Sequence, residues 1–430
     1  QVMFDQCKAL IIGLQKRGAV VGSSLNTAYL LERLSQTLER LETLMAIFVS
    51  NRYLPRRILL LTGCFARAAA ERHSISRLWK QSSGLIARSV TQNAGDHGEH
   101  YITRDKKEYW AMFYSAAGGG VLIALMALFK TYLGSIIDDK VWKGLAEGLN
   151  YGFGFMVIFM LHFTVATKQP AMTAARFAEA VEKNPQGKTL NMKLAQLLVD
   201  VFRSQSVAVL GNVVVAMGLA ALIAFVYQHQ TGEPLMNSEK IAYQLHRIDP
   251  LDGSLWFAAI AGVWLFCSGI ISGYFDNRSN YLNMRMRLAQ HPLLKKLMSE
   301  KSRVKFANYM HENYGSLIGN FCFGMLLGLT GLVGYLTHLP LDIRHVAFSS
   351  ANLGYSAVSG QFAYPFFLQC IGFVLLIGLV NLMVSFSLTL WVALRSLNTE
   401  IDSWWAIWHE VYQIVRKRPL SLFFPVQLDK

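Results

Sequence analysis

Apolar and polar positions are arranged in two different ways along this chain. Before residue 110, leucines recur at alternating spacings of three and four (Leu31, Leu34, Leu38, Leu41, then Met45 and Phe48) with Glu32, Arg33, Glu39, Arg40 and Glu42 between them, which predicts one apolar stripe on a solvated helix. After Trp110 the apolar residues fuse into six stretches, Trp110–Gly134, Leu149–Thr167, Ser206–Tyr227, Ser254–Tyr274, Ser316–Tyr335 and Pro365–Leu394. Each is near the ~20 residues that cross a ~30 Å hydrocarbon core as a helix. Unbroken runs such as Val121–Phe129 and Val213–Val226 lack the period-2 alternation that a membrane barrel needs. The expected fold is all-α: a polytopic membrane protein of about six transmembrane helices with a cytoplasmic amphipathic region. Three parts are expected, with residues 1–109 a helical hairpin broken at Pro55 and resuming over about Arg57–Val90, residues 110–394 the six-span domain, and residues 395–430 an interfacial segment.

Charge orients the bundle, because Lys and Arg are held on the cytoplasmic side. Sixteen Lys and Arg precede the first stretch, five and eight follow the second and fourth, and five lie in the tail. The loops after the first, third and fifth carry only Lys140, Lys143, Lys240, Arg247 and Arg344. Both termini are therefore expected in the cytoplasm, and the net charge of +14 reads as a topology signal that argues against a nucleic-acid partner. With 53% apolar and 16% charged residues, nothing calls for a second, soluble enzyme domain. The five cysteines show no CxxC or Cys/His spacing and read as apolar fillers. Gln1 is not followed by a basic-then-apolar leader, so the numbered chain is expected to begin inside a longer protein.

Candidate chemistry lies where ionisable groups meet span ends, since such groups cost several kcal/mol unless paired or wetted. His162, Lys168 and Gln169 close the second stretch, and Asp276 and Asn277 close the fourth. A Lys168–Asp276 pair fits this placement, as does a Lys168 that merely snorkels to the interface. Just before the first span, Glu99, His100, Tyr101 and Arg104 fall in the densest polar cluster of the chain. Together these residues predict a polar site at the cytoplasmic ends of spans one, two and four. His97 and His100 lack a third ligand, so no metal is expected, and no cofactor either. Gln186-Gly187-Lys188-Thr189 imitates a phosphate loop, but Glu182 stands where its first glycine belongs. Gly118, Gly119 and Gly120 suit close helix approach, while Asn212, Asn320 and Asn381 suit hydrogen bonding between helices. Gly211-Asn212, Met217, Leu219 and Tyr227 match Gly319-Asn320, Met325, Leu327 and Tyr335 at one constant offset, a weak internal repeat. The tail, with Trp404, Trp405 and Trp408 before Arg416-Lys417-Arg418, suits the headgroup region.

Gly98–Arg104, the triple glycine, Leu161–Ala174 with its Ala-Thr-Lys-Gln-Pro-Ala-Met-Thr-Ala core, and Asp276-Asn277-Arg278 together resemble the bacterial membrane family known as site-specific recombinase (Gcr-like), over about residues 90–400. The resemblance implies a proteobacterial inner-membrane protein and a further N-terminal region. It transfers no catalytic residue. Strand exchange needs a Tyr or Ser nucleophile among several Arg, Lys and His, and the one local cluster is Tyr101 beside His100 and Arg104. The leading expectation is a non-enzymatic role in transport or membrane assembly, with DNA recombination or a scaffold docking a partner as alternatives. Expected partners are the bilayer, anionic lipid head groups, and a second copy or another protein.

Overall fold

A computed structural model of the chain describes residues 2–21, 25–49, 54–71, 103, 105–165, 188–396 and 403–425. Among them there is no strand. The helices are α1 (Val2–Val21), α2 (Leu25–Val49), α3 (Leu54–Glu71), α4 (Lys106–Ile136), α5 (Lys140–Met160), α6 (Lys188–Thr231), α7 (Ser238–Ile248), α8 (Ser254–Tyr281), α9 (Met284–Gln290), α10 (Pro292–Leu297), α11 (Glu300–Thr337), α12 (Val346–Ser359), α13 (Tyr364–Ser396) and α14 (Trp404–Lys417). Contacts divide the chain into two compact units, one of residues 1–93 with 273–314 and one of residues 94–272 with 315–430.

In the first unit the described residues before 72 form α1, α2 and α3. Pro55 stands in the first turn of α3, where its missing N–H has no intrahelical partner to lose, so it starts this helix after the break that separates it from α2. The rest of the expected second helix, from residue 72, lies outside the described residues. Lys8 and Glu42 form an ion pair between α1 and α2. Residues 273–314 belong to this unit, with Phe275 against Tyr314 (ring centroids 5.6 Å apart) and Ser279 Oγ 3.1 Å from His311 Nδ1.

Among the described residues five helices are long and apolar enough to cross a membrane: α4, α6, α8, α11 and α13. The second expected span differs. Its helix, α5, begins nine residues earlier than the apolar stretch and stops at Met160, and its first turns carry Lys140, Lys143 and Glu147. Asp139 caps this start by accepting from the Val141 and Trp142 amides, each at 2.9 Å. Charges there need a polar surface to face, and they find one in the cavity described below.

Small residues set how the second unit packs. α4 and α6 run side by side in the same direction, with Gly120 against Asn212 and Ala216 and Gly211 against Phe113 and Ala116. α5 runs antiparallel to α11 along Gly144, Gly148 and Gly152, spaced by one helical turn and opposed by Gly324 and Gly328. A Cβ on Gly328 would overlap the Gly148 backbone, and one on Gly324 would overlap Tyr151 and Gly152. α6 is 44 residues long, about 66 Å at 1.5 Å per residue, roughly twice a ~30 Å hydrocarbon core. Its first turns pack Leu194 and Ala195 on Ile407 of α14. There the buried Arg203 donates to the carbonyls of Thr103 and Ser421 and pairs with Asp200.

The segment between α11 and α12 was not expected from the apolar pattern. After Thr337 the chain turns back along α11 without helical structure, Leu341 lying against Gly334, Asp342 near Gly331, and the His345 ring 5.9 Å from that of Phe323. From the level of residue 334 to that of 323 is about 16 Å at 1.5 Å per residue, half of a ~30 Å core. α12 then returns, buried over nearly its whole length and laid along α6 with Gly354 against Met217 and Ala220. Residues 338–359 are thus a re-entrant turn and half-helix.

Gly328→Ala should destabilise the protein by ~1–3 kcal/mol through overpacking, although alanine is the better helix former. Gly218→Ala, whose new methyl group meets nothing within 4 Å, should be neutral or stabilising. Thermal melts of the two purified variants compare them; equal shifts would mean that the glycine seam does not hold α5 to α11.

Candidate functional site

The re-entrant segment forms the floor of a cavity of about 550 Å³ bounded by α4, α5, α7, α11 and α12. That volume lies within the ~300–1,000 Å³ of small-molecule sites. Its charge is lopsided: Lys130, Lys140, Lys143, Lys240, Arg247 and Arg344 line it, against the carboxylates Glu147 and Asp342. Helix geometry brings them together. Lys130 lies in the last two turns of α4, Lys140, Lys143 and Glu147 share the start of α5, Lys240 and Arg247 lie at the two ends of α7, and Asp342 and Arg344 come from the irregular segment.

The two carboxylates are already engaged. Glu147 pairs with Lys130 at 2.9 Å, and the Lys130 ammonium lies 5.4 Å from the centroid of the Tyr151 ring. Asp342 takes Arg344 at 2.6 Å and Arg247 at 3.5 Å. The two guanidiniums thus flank one carboxylate and balance its charge. In α7 burial acts to discharge Arg247, and Asp342 reverses this, so the guanidinium is held more firmly protonated than usual. Among the described residues Lys140, Lys143 and Lys240 have no carboxylate partner. Lys140 instead lies over the Tyr335 ring at 4.1 Å.

The arginines have a second task, satisfying a backbone that has left its helical ladder. Arg344 donates through Nε to the Arg247 carbonyl at 2.7 Å and through a terminal nitrogen to the Ile343 carbonyl at 2.8 Å. The Arg344 amide reaches the Phe257 carbonyl at 3.2 Å, and the Ile343 amide reaches the Asp342 carboxylate at 2.7 Å. Asn381 completes the set. Its Nδ2 donates to the carbonyls of Ala258 and Arg344 at 2.7 and 2.9 Å, and its Oδ1 accepts from the first amide of α12 at 3.1 Å. The N-terminus of α12, the positive end of its dipole, therefore lies at the cavity floor, where His345, Phe348 and Ser349 contribute to the lining. The chemistry on offer is electrostatic: cations and a helix dipole around a confined volume. Among the described residues no group of three His, Cys, Asp or Glu side chains gathers to hold a metal, and the four described cysteines, Cys7, Cys267, Cys322 and Cys370, are free thiols.

Of the residues singled out from the sequence, only some are described. Glu99, His100, Tyr101, Arg104, Lys168 and Gln169 fall outside the described residues. Asp276 and Asn277 lie near the end of α8, in the first unit, and both have partners. His162 is exposed, with φ at +57°, and ends α5 in the left-handed conformation while its carbonyl accepts from Ser115 Oγ at 3.0 Å. Gly118 backs onto the Phe163 ring, Gly119 onto the Thr164 carbonyl, and Asn212 donates to the carbonyls of Ala116 and Thr164. Asn320 donates back to Ser316 of its own helix at 2.7 Å. The cavity residues were visible in the sequence as the few cations of the basic-poor loops. All five, Lys140, Lys143, Lys240, Arg247 and Arg344, line the one cavity, and a loop-by-loop count conceals that.

A family model described as site-specific recombinase matches residues 1–425. The chain belongs to the site-specific recombinase family. No curated protein and no solved structure matches it. The family's name points to nucleophilic cleavage of DNA, and the one cluster nominated for that chemistry, His100, Tyr101 and Arg104, lies outside the described residues. What the described part of this family member offers instead is the cationic cavity.

Asp342→Asn leaves two buried guanidiniums without their shared carboxylate. The loss should be on the order of 2 kcal/mol, below the ~3–5 kcal/mol of a fully buried pair because Asp342 keeps some contact with solvent. Thermal melts of the wild type and Asp342→Asn measure it, and an unchanged Tm would contradict this account.

Proposed function

We propose that this protein is a bacterial inner-membrane protein with a transport-related role, taking up an anionic ligand in its cationic cavity from the non-cytoplasmic side. One observation carries the reading. Lys and Arg are depleted from translocated loops, yet every one of the five in the loops expected outside the cytoplasm lines this cavity, together with Lys130. Chance retention would scatter them. A re-entrant half-helix whose positive end faces a polar cavity is also how membrane transporters present backbone dipoles to anionic substrates. The same helices carry the protein's contact with the bilayer, and the exposed Trp404, Trp405 and Trp408 of α14 suit head groups at the cytoplasmic face. The recombinase chemistry in the family's name is the second reading, and its single support is the family match.

The test is a thermal melt of the protein in a zwitterionic detergent with inorganic phosphate, pyrophosphate or sulfate, against choline chloride at equal ionic strength. At a hundredfold excess over Kd a site-bound anion stabilises by ~2.7 kcal/mol. The expected result is an anion-specific rise in Tm that disappears in Lys143→Gln/Lys240→Gln, while that variant keeps the wild-type Tm without anion. No anion-specific rise in the wild type would refute the cavity's role, and salt-dependent DNA cleavage lost in Tyr101→Phe would establish the recombinase reading in its place.

A further inference from the structure

On the reading that the cavity takes an anion, we propose that Glu147 is an internal counter-anion which the ligand replaces, so that each anion enters together with one proton. The two carboxylates of the cavity are held differently. Asp342 is shared by Arg247 and Arg344 and accepts from the Ile343 amide, so withdrawing it would undo the irregular segment. Glu147 makes a single ion pair among the described residues, with Lys130, and does so from within the regular helix α5. A turn of its side chain into the cavity releases it.

Glu147 also occupies the place an anion would seek. Its charge acts on Arg247 as well as on Lys130, with the Tyr151 phenol beside them. These are the deeper cations of the cavity: the side chains of Lys130 and Arg247 are 25% and 15% exposed, whereas Lys140 and Lys240 lie at the surface. Lys130 stands on α4, a helix apolar enough to cross a membrane, where an ammonium without a counter-charge is costly. One anion must therefore stay beside it, either Glu147 or the ligand. When the ligand takes that place, Glu147 becomes a second negative charge in the same confined volume, and two such charges are relieved when the carboxylate takes a proton from water on the side where the anion enters. The exchange balances. The Lys130–Glu147 pair, one anion and one proton become a Lys130–anion pair and a neutral Glu147 acid, whose O–H then donates to the anion.

The other charged and titratable groups lining the cavity do not take this proton. They are Lys140, Lys143 and Tyr151 on α5, Lys240, Tyr243 and Arg247 on α7, Tyr335 on α11, and Asp342 and Arg344 of the irregular segment. Lys, Arg and Tyr side chains carry their proton at neutral pH and have none to gain, and Asp342 is committed to two guanidiniums. His345, at the start of α12, is the competitor that the test must separate.

Isothermal titration of the full chain in a zwitterionic detergent with sulfate, phosphate or pyrophosphate, repeated in buffers of different ionisation enthalpy, counts the protons taken up. Comparison with Glu147→Gln cancels any proton that the anion itself gains. The wild type should take up about one proton more per anion than this variant, and from pH 6.5 to 7.5 its affinity should fall about tenfold relative to it. At pH 7.5 Glu147→Gln, a mimic of the neutral acid, should bind at least tenfold more tightly than the wild type. Glu147→Asp, which draws the carboxylate back from Lys130 by one methylene, should bind more tightly and keep the proton uptake. Should Glu147→Gln not fold, the wild-type count with sulfate, which gains no proton at neutral pH, and the affinity of Glu147→Asp decide. Equal proton counts in the wild type and Glu147→Gln, a wild-type count of zero with sulfate, weaker binding by Glu147→Asp, or uptake lost instead in His345→Gln would each overturn the inference and leave the anion site standing. If no anion binds to the wild type or to Glu147→Gln, both readings fall.

Discussion

Backbone amides and carbonyls surrounded by apolar helices must find partners within the protein, and between residues 338 and 345 that requirement governs everything nearby. The chain there makes no helix, so two guanidiniums, a carboxylate and one asparagine amide supply hydrogen bonds to it, beside the backbone bond from the Arg344 amide to Phe257. Guanidiniums suit this work because each offers five donors in a fixed plane. They also bring charge to a confined place, which is stabilised by sharing Asp342 and by keeping a polar cavity alongside. The cavity, its charge and the buried half-helix thus have one cause. Remove the irregular segment and α11 could simply lead to α13.

The apolar pattern was informative wherever a helix is lipid-facing along its length. α4, α6, α8, α11 and α13 each contain one of the expected stretches, because a run such as Val213–Val226 permits no other arrangement. It was misleading for α5, whose charged first turns face the cavity rather than lipid, so hydropathy placed the helix too late. It had nothing to say about α12: His345, Ser349 and Ser350 look like a loop in sequence, and only burial among other helices makes them a membrane half-helix. The α5–α11 seam was legible as glycines four apart, Gly144, Gly148 and Gly152, yet only the opposing pair Gly324 and Gly328 gives that spacing its meaning.

The candidate site was legible in its ingredients and not in its assembly. Arg247 lies almost a hundred positions before Asp342 and Arg344, and no local spacing reveals that Asp342 serves both arginines. Counting cations per loop recovered an orientation, whereas asking where those cations meet recovers a site. The residues favoured from local polarity, Glu99, His100, Lys168 and their neighbours, lie outside the described residues. Membership of the site-specific recombinase family covers nearly the whole chain, so the cavity is part of the domain the family is defined by and not an appendage to it.

Helix α6 has no proline among its 44 residues, and its two ends are fastened to different things. Near its start Arg203 and Ile407 tie it to the tail; farther along, Met217 and Ala220 bear on Gly354 of the re-entrant helix. One unbroken helix thus joins the tail to the re-entrant half-helix, so the two are parts of a single packed assembly and not separate attachments.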